Sequence, residues 1–540
     1  MQKPAKSHPF SDPGATTRQK LTALPPFKGE KRPEQIIFGA LLFVSLLAFC
    51  LIYGFFYALT TPFLLTQFLS PLVVLSGLVI WALPDMKVAP TRPLEILFFA
   101  FFVAAAVWPN YLAIALPGLP WITSVRLIGF PLAFLLIICV SISPEFRART
   151  KQSATSIRLL LAFITGFVVI QCASILISDR PMESLNAVFA YQVSWTAIFF
   201  TACYVFTRPG NAEKWALIFC GTAFFVCLLG VWEQQLERVP WSGHIPNFLA
   251  VGDEYVQRVL SGARRLGTGK YRVQTIHSTP LGASEFLALV TPFAIHFSVG
   301  GYSRVTRIWA ALCLPLIFYV ILATDSRLGV VGFFLACLLY LLAWGVISWR
   351  SHKQSLLAPT VVLAYPAVFV AFVAATFTVQ RLKSMVWGSG GTAYSDQGRI
   401  DQLIAGIPKV LMRPWGYGAS RGAEELGYTN LAGTMTIDNY FLLIALDYGI
   451  LGFLFYYGSI IICILSAVKY GVLQNLEHRE HKLILPAGIA LAVFFVIKAI
   501  FSQPTNHTFQ FMLMGLAAAL VFRIKNGDAA GLPPPDRSQA

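Results

Sequence analysis

From residue 36 onward the chain alternates long apolar runs with short polar breaks, and most runs come close to the roughly 20 residues a helix needs to cross a bilayer. They fall at about 36–58, 64–83, 94–116, 122–143, 157–178, 188–207, 215–232, 280–298, 305–323, 328–348, 357–377, 439–467, 482–502 and 507–524. The pattern predicts an all-α, polytopic membrane protein with about 14 transmembrane helices (12–14). Pro71, Pro109 and Pro131 interrupt the second, third and fourth runs. Residues 1–35 are basic, contain several prolines and lack apolar periodicity, so they read as a disordered tail, too long and too charged for a cleavable signal peptide. Residues 36–524 then form one transmembrane domain, and 525–540 a second disordered tail.

Composition supports this reading. Of the 540 residues 56% are hydrophobic and 12% charged, whereas soluble domains carry about 25% charged residues. The nine cysteines (Cys50, Cys139, Cys172, Cys203, Cys220, Cys227, Cys313, Cys337 and Cys463) lie in apolar runs, which suits packing rather than disulfides or metal. No His/Cys/carboxylate cluster has metal-ligand spacing, and no cofactor is expected.

The net charge of +16 takes its meaning from position. With the basic tail inside, every alternate short break carries Lys or Arg, as the positive-inside rule asks. Both termini are then cytoplasmic, and nucleic-acid binding is not needed to explain the charge. Two long outer segments, about 233–279 and 378–437, are basic against that bias; they hold Arg265, Arg272, Arg399 and Arg413 among others. Guanidinium groups bind phosphate oxygens bidentately, so an anionic ligand is one reason for such loops. Arg126, Glu285, Asp325, Arg327, Asp438, Asp447 and Lys498 fall at the outer ends of spans. Together they outline a polar cavity on that side; singly, each could snorkel to the interface.

Four motifs occur in order. Arg272-Val273-Gln274-Thr275-Ile276-His277-Ser278-Thr279-Pro280 leads into one span, and Thr324-Asp325-Ser326-Arg327 opens another. Gly398-Arg399 precedes a short amphipathic helix that closes with Pro414-Trp415-Gly416-Tyr417-Gly418. Asp438-Asn439 heads the next span, with Asp447-Tyr448-Gly449-Ile450-Leu451-Gly452 below it. Over about 270–460 this set resembles the O-antigen ligase-like and Wzy-type polymerase family of bacterial inner-membrane glycosyltransferases.

The resemblance implies a GT-C-like bundle with an active site on the periplasmic face. The donor is a glycan on undecaprenyl diphosphate, and the acceptor a glycan or lipid-linked glycan. It leaves room for a polysaccharide-export or chain-length-control partner, with membrane lipids as surroundings. In ligases of the family the residue before the Asn is typically His. Asp438 stands there in this chain, which favours a polymerase over a lipid A-core ligase; an O-antigen ligase or a protein O-oligosaccharyltransferase is the alternative.

Read for their chemistry, Arg272, Arg327 and Arg399 can stabilise charge developing on a departing diphosphate. Asp438 can serve as a base for an acceptor hydroxyl or cap the helix that follows. Arg265, Arg413, Tyr417, Asn439, His277 and Glu285 complete the candidate substrate-binding set. Tyr417 could stack on a sugar, and His277 is a second candidate base or a surface residue. Arg327 has Asp325 or a lipid phosphate as alternative partners, and Arg399 has Asp396 or Asp401. Glu285 and Asp447 read as structural or positioning groups, and Gly416, Gly418, Gly449 and Gly452 as turn and close-packing positions. Two rivals stay open: a transporter or flippase of lipid-linked glycan, and a non-catalytic partner of an export machine.

Overall fold

The computed structural model describes residue 44 and residues 75–86, 88–115, 121–249, 251–265, 269–351, 353–354, 356–380, 383, 393–429, 435, 437–498 and 505–527. The expected span 36–58, most of 64–83, the tail 1–35 and nearly all of 525–540 lie outside the described residues. Two compact units are distinguished: Met1–Lys87 with Ser141–Pro144, and Val88–Val140 with Glu145–Ala540. In the first, residues 75–82 are helical and the Ser141 hydroxyl donates to the Ile80 carbonyl at 2.6 Å.

Within the described residues eleven helices are long and apolar enough to cross a membrane. They are Ser124–Ile142, Pro144–Ile177, Pro181–Val205, Asn211–Leu236, Pro280–Val299, Arg304–Ala323, Arg327–Ser351, Leu357–Thr378, Tyr440–Val472, His481–Lys498 and His507–Asn526. The molecule is thus an α-helical multi-pass membrane protein, and these helices coincide with eleven of the fourteen apolar runs. Pro131 stays inside Ser124–Ile142.

The run at 94–116 is not one helix. Thr91–Val107 ends at Trp108, whose extended backbone (φ −99°, ψ 133°) precedes Pro109, and a residue before proline is pushed out of the α region. The chain then turns back as a short ribbon in which Ala113 pairs Thr123 and Ile114 pairs Ile122.

Helices that are apolar all round belong inside other helices. Pro280–Val299, His481–Lys498 and His507–Asn526 form that centre, with 83%, 78% and 89% of their apolar windows buried. Leu357–Thr378, at 6%, is the opposite case and presents its side chains outward. Pro280–Val299 packs on Arg304–Ala323, Arg327–Ser351 and His481–Lys498, while Tyr440–Ala467 packs on Arg158–Ile177 and His481–Lys498.

The two long segments are not plain loops. The first takes in the end of Asn211–Leu236, a helix at Glu254–Leu260, and a ribbon pairing Ala263 with Arg272 and Arg264 with Tyr271. The second contains the helices Ala393–Met412 and Gly422–Leu426.

Candidate functional site

Glu233, the last polar residue but two on Asn211–Leu236, is fully buried. A carboxylate in that position must be hydrogen-bonded, and three donors converge on it: the amides of Gln274 (3.0 Å) and Thr275 (2.7 Å) and the Tyr271 hydroxyl (2.7 Å). They hold Thr275 in the left-handed region at φ +54°. The Val273 amide donates to the Ala323 carbonyl at 3.1 Å, laying the segment along the end of Arg304–Ala323.

Arg272 is thereby delivered to the turn before Arg327–Ser351. Its Nε donates to the Thr324 carbonyl (3.0 Å) and Nη2 reaches the Asp325 carbonyl (3.5 Å). Arg265, on the paired strand side of the ribbon, forms an ion pair with the Asp325 carboxylate at 2.5 Å. Arg327 opens the helix two residues on. Two guanidinium groups, those of Arg265 and Arg272, are gathered at one turn with one carboxylate, beside the positive end of the helix that Arg327 opens. Burial pulls the Arg272 guanidinium below its ordinary pKa while Asp325 pulls it back, so it stays cationic.

A sealed connection leads from this turn to the other motif. Ser326 accepts from the Ser284 hydroxyl at 2.9 Å, and the neighbouring Glu285 pairs with Lys498 at 3.0 Å, both fully buried. Lys498 also donates to the Thr505 carbonyl (3.1 Å) and lies 5.4 Å from the centre of the Tyr440 ring. Tyr440 is the first residue of the helix behind Asp438-Asn439. Glu285, Arg265, Arg272 and Arg327 are therefore brought to the same end of the bundle as Asp438.

At Asp438 two expectations change. The cap of Tyr440–Ala467 is Asn439, whose Oδ1 accepts from the Leu442 amide at 3.0 Å, so the capping role falls to Asn439. Asp438 is half-buried, and its amide donates to Gln402 Oε1 at 2.7 Å. Gln402 is fully buried and sits one turn beyond Arg399. Moreover, the Ala393–Met412 helix starts before Gly398-Arg399 instead of after it. Its outward stripe is Ile400, Ile404, Ile407 and Leu411, all exposed; the opposite side, with Gly406 against Leu442, packs on the Asp438 helix. That amphipathic period carries Arg399 toward Asp438 through Gln402.

The Pro414–Gly418 loop is stitched into a break in Tyr440–Ala467. Gly449 has φ +70° and ψ −174°, which interrupts the helical ladder, and the loop takes over the freed groups. Tyr417 and Gly418 amides donate to the Leu446 (2.8 Å) and Asp447 (3.0 Å) carbonyls, and the Ile450 amide donates to Pro414 (2.9 Å). A Cβ on Gly449 would collide with the Pro414 oxygen, and one on Gly416 would stand 2.6 Å from the Asp447 oxygen. The Asp447 carboxylate accepts from the Gly422 (2.6 Å) and Ser420 (3.2 Å) amides, so it shapes the loop.

Arg413 and Tyr417 belong to this brace. Arg413 donates to the Ile177 carbonyl at 2.9 Å and lies 5.0 Å over the Tyr417 ring, while the Tyr417 hydroxyl donates to the Lys409 carbonyl at 3.2 Å. These contacts give both a local structural use. His277 is not a surface residue: it lies in a cavity wall, 3.2 Å from Thr275 Oγ1 and against Phe286. Burial pushes its pKa down to about 3, which makes it neutral and a weak base near pH 7.

Lys498 was among the charges read from the sequence as lining a polar cavity, whereas Glu233 and Gln402 were not singled out. Glu233 carried a signal, a charge beside an apolar run, and Gln402 carried none.

Two comparisons bear on this geometry. A search of curated proteins finds no match to the chain. Residues 311–457 match the family described as O-antigen ligase, a stretch that contains Arg327, Arg399, Asp438 and the Gly449 break, so this part of the chain is similar to O-antigen ligase-like proteins.

Proposed function

We propose that the protein transfers a glycan from a polyprenyl diphosphate, undecaprenyl diphosphate in bacteria, to a sugar hydroxyl at the periplasmic face of the inner membrane. The observation that carries this reading is the arginine turn. Arg265 and Arg272 reach the Asp325 turn, Arg327 opens the helix that follows it, and Glu285–Lys498 links that turn to the Asp438 segment.

In the reaction the acceptor oxygen attacks the anomeric carbon, and the bond from that carbon to the diphosphate breaks. The diphosphate leaves as an anion stabilised by Arg272, Arg327 and Arg399, and Asp438 takes the hydroxyl proton. Electrostatics of this kind need no nucleotide sugar. The acceptor in the first reading is another lipid-linked repeat unit, so that the product is a longer polymer, with an export or chain-length-control protein as partner. The ligase reading, in which the acceptor is a different glycolipid or a protein, is favoured by the family description of residues 311–457.

The test is the length and carrier of glycan in a deletion strain complemented with wild type, Arg399→Ala or Asp438→Ala at equal membrane levels. Single repeat units on the carrier in the deletion and both variants support the polymerase. Full-length polymer retained on the carrier supports the ligase. Unchanged glycan in every strain would overturn both and favour a transporter.

A further inference from the structure

Two adjoining cavities open at the same end of the bundle, in a wall supplied largely by residues before the family-matched stretch. One, of about 500 Å³, is bounded by Tyr111, Tyr255, His277 and Asn506; the other, of about 540 Å³, by Thr123, Arg126, Phe130 and Ser194. They share Asn110, Trp121 and Val125 and so run together. His277 and Ser278 follow Arg272 along the chain, and Thr505 is tied to Lys498, so the first cavity is lined by segments that continue from the arginine turn and from the Glu285–Lys498 pair.

The lining mixes flat aromatic faces with amides and hydroxyls, the combination that holds a sugar by its apolar ring face and its hydroxyl edge. Trp108 is 43% and Tyr255 47% exposed. Thr505 Oγ1, in the wall, has no hydrogen-bond partner among the described residues.

One lining residue sets the charge. Arg126 is fixed by its own turn: its amide donates to Thr123 Oγ1 (3.2 Å) and its Nη1 to the Trp121 carbonyl (2.8 Å). A guanidinium has five N–H donors, so this anchoring leaves a fork for a ligand. Among the described residues no carboxylate lines either cavity. The stretches 116–120 and 499–504, next in sequence to Trp121 and Thr505, contain no acidic residue.

We infer that the paired cavities bind the glycan portion of the substrate and that Arg126 selects a glycan bearing an anionic group, a carboxylate or a phosphate ester, on one of its sugars. This rests on the transfer reading above and adds the charge class of the sugar to it. A planar fork fixed from behind engages an anionic group in two parallel hydrogen bonds, a preference that a neutral sugar cannot satisfy.

The probe is glycan accumulated in a strain lacking the gene and released from its carrier by mild acid, so that it bears no diphosphate. Binding is measured to purified protein in discs of neutral lipid. The wild type is expected to bind it, Arg126→Gln about tenfold more weakly, and Trp121→Ala more weakly whatever the charge of the sugar. Carboxyl reduction or phosphate-ester removal, whichever matches the group present, should erase the difference between wild type and Arg126→Gln. Equal binding by wild type and Arg126→Gln, or no response to either chemical treatment, overturns the inference. So does retention of anionic phospholipid that depends on Arg126 while glycan binding does not, because Arg126 would then be a lipid anchor. If Arg399→Ala leaves cellular glycan unchanged, the transfer reading itself falls. If Arg399→Ala blocks glycan assembly and Arg126→Gln binds as wild type, only the present inference falls.

Discussion

Two buried ion pairs lie toward opposite ends of the bundle, and they are built differently. Glu480 pairs with Arg523 at 2.8 Å and also accepts from the amides of Gly210 (3.0 Å) and Ala212 (2.9 Å), so it closes the N-terminus of Asn211–Leu236 as a cap would. Glu285–Lys498 closes no helix end. Its neighbours are the Ser326 turn on one side and Tyr440 on the other, the two segments that carry Arg327 and Asp438. The same chemistry thus serves as a clamp on one helix in the first case and as a spacer between two candidate reacting groups in the second.

The largest effect is expected at the spacer. Lys498→Met strands a fully buried carboxylate, and breaking such a pair costs about 3–5 kcal/mol; thermal unfolding in detergent should show it. The double change Glu285→Leu with Lys498→Met should recover most of that stability while glycan transfer stays impaired. A double variant with full transfer would make the spacer a second clamp. Glu480→Ala breaks a pair almost as buried and falls in the same range, about 3–5 kcal/mol, but with transfer per folded molecule unchanged.

Asp447 is another buried carboxylate, held by the Ser420 and Gly422 amides. Asp447→Asn should cost about 1–2 kcal/mol and raise protease cutting near residues 418–422.

Acid separates two contributions more finely. Burial alone would raise the Glu480 pKa, but Arg523 and the Gly210 and Ala212 amides hold it below the ordinary value. Its contribution is therefore present above about pH 4.3 and is lost as pH falls through the depressed value. His277, pushed down to about 3, binds its proton in the unfolded chain first. Stability accordingly declines as pH drops from about 6.5 toward 3. His277→Asn should flatten the upper part of an acid-unfolding curve and Glu480→Gln the lower part; a curve unmoved by either contradicts these assignments.

The helices were legible because membrane spans announce themselves by run length, and the eleven described spans follow their runs closely. Glycines at 416 and 449 were legible as turn and packing positions, since both have positive φ and meet the other's segment. The partners of polar groups were not legible. Gln402 is unremarkable in sequence, yet it holds the Asp438 amide across 36 residues. Asn439 displaces Asp438 as the cap because both residue types favour that position, and only the register at Tyr440 decides between them. The start of Ala393–Met412 was placed late because Gly398 looks like a helix boundary. In the structure it fits close to the Tyr428 hydroxyl, where a side chain would collide.

The splice at Gly449 also fixes an order of assembly. Residues 414–418 leave the ribosome before 446–450, so their amides and carbonyls must await a helix not yet made. The two halves of Tyr440–Ala467 can be inserted beforehand on hydropathy alone, but the joint closes only when loop and helix meet. A chain with every span in place and this joint open is apolar enough to pass as inserted and still unfinished. Its exposed peptide bonds between residues 413 and 422 are what a quality-control protease would read.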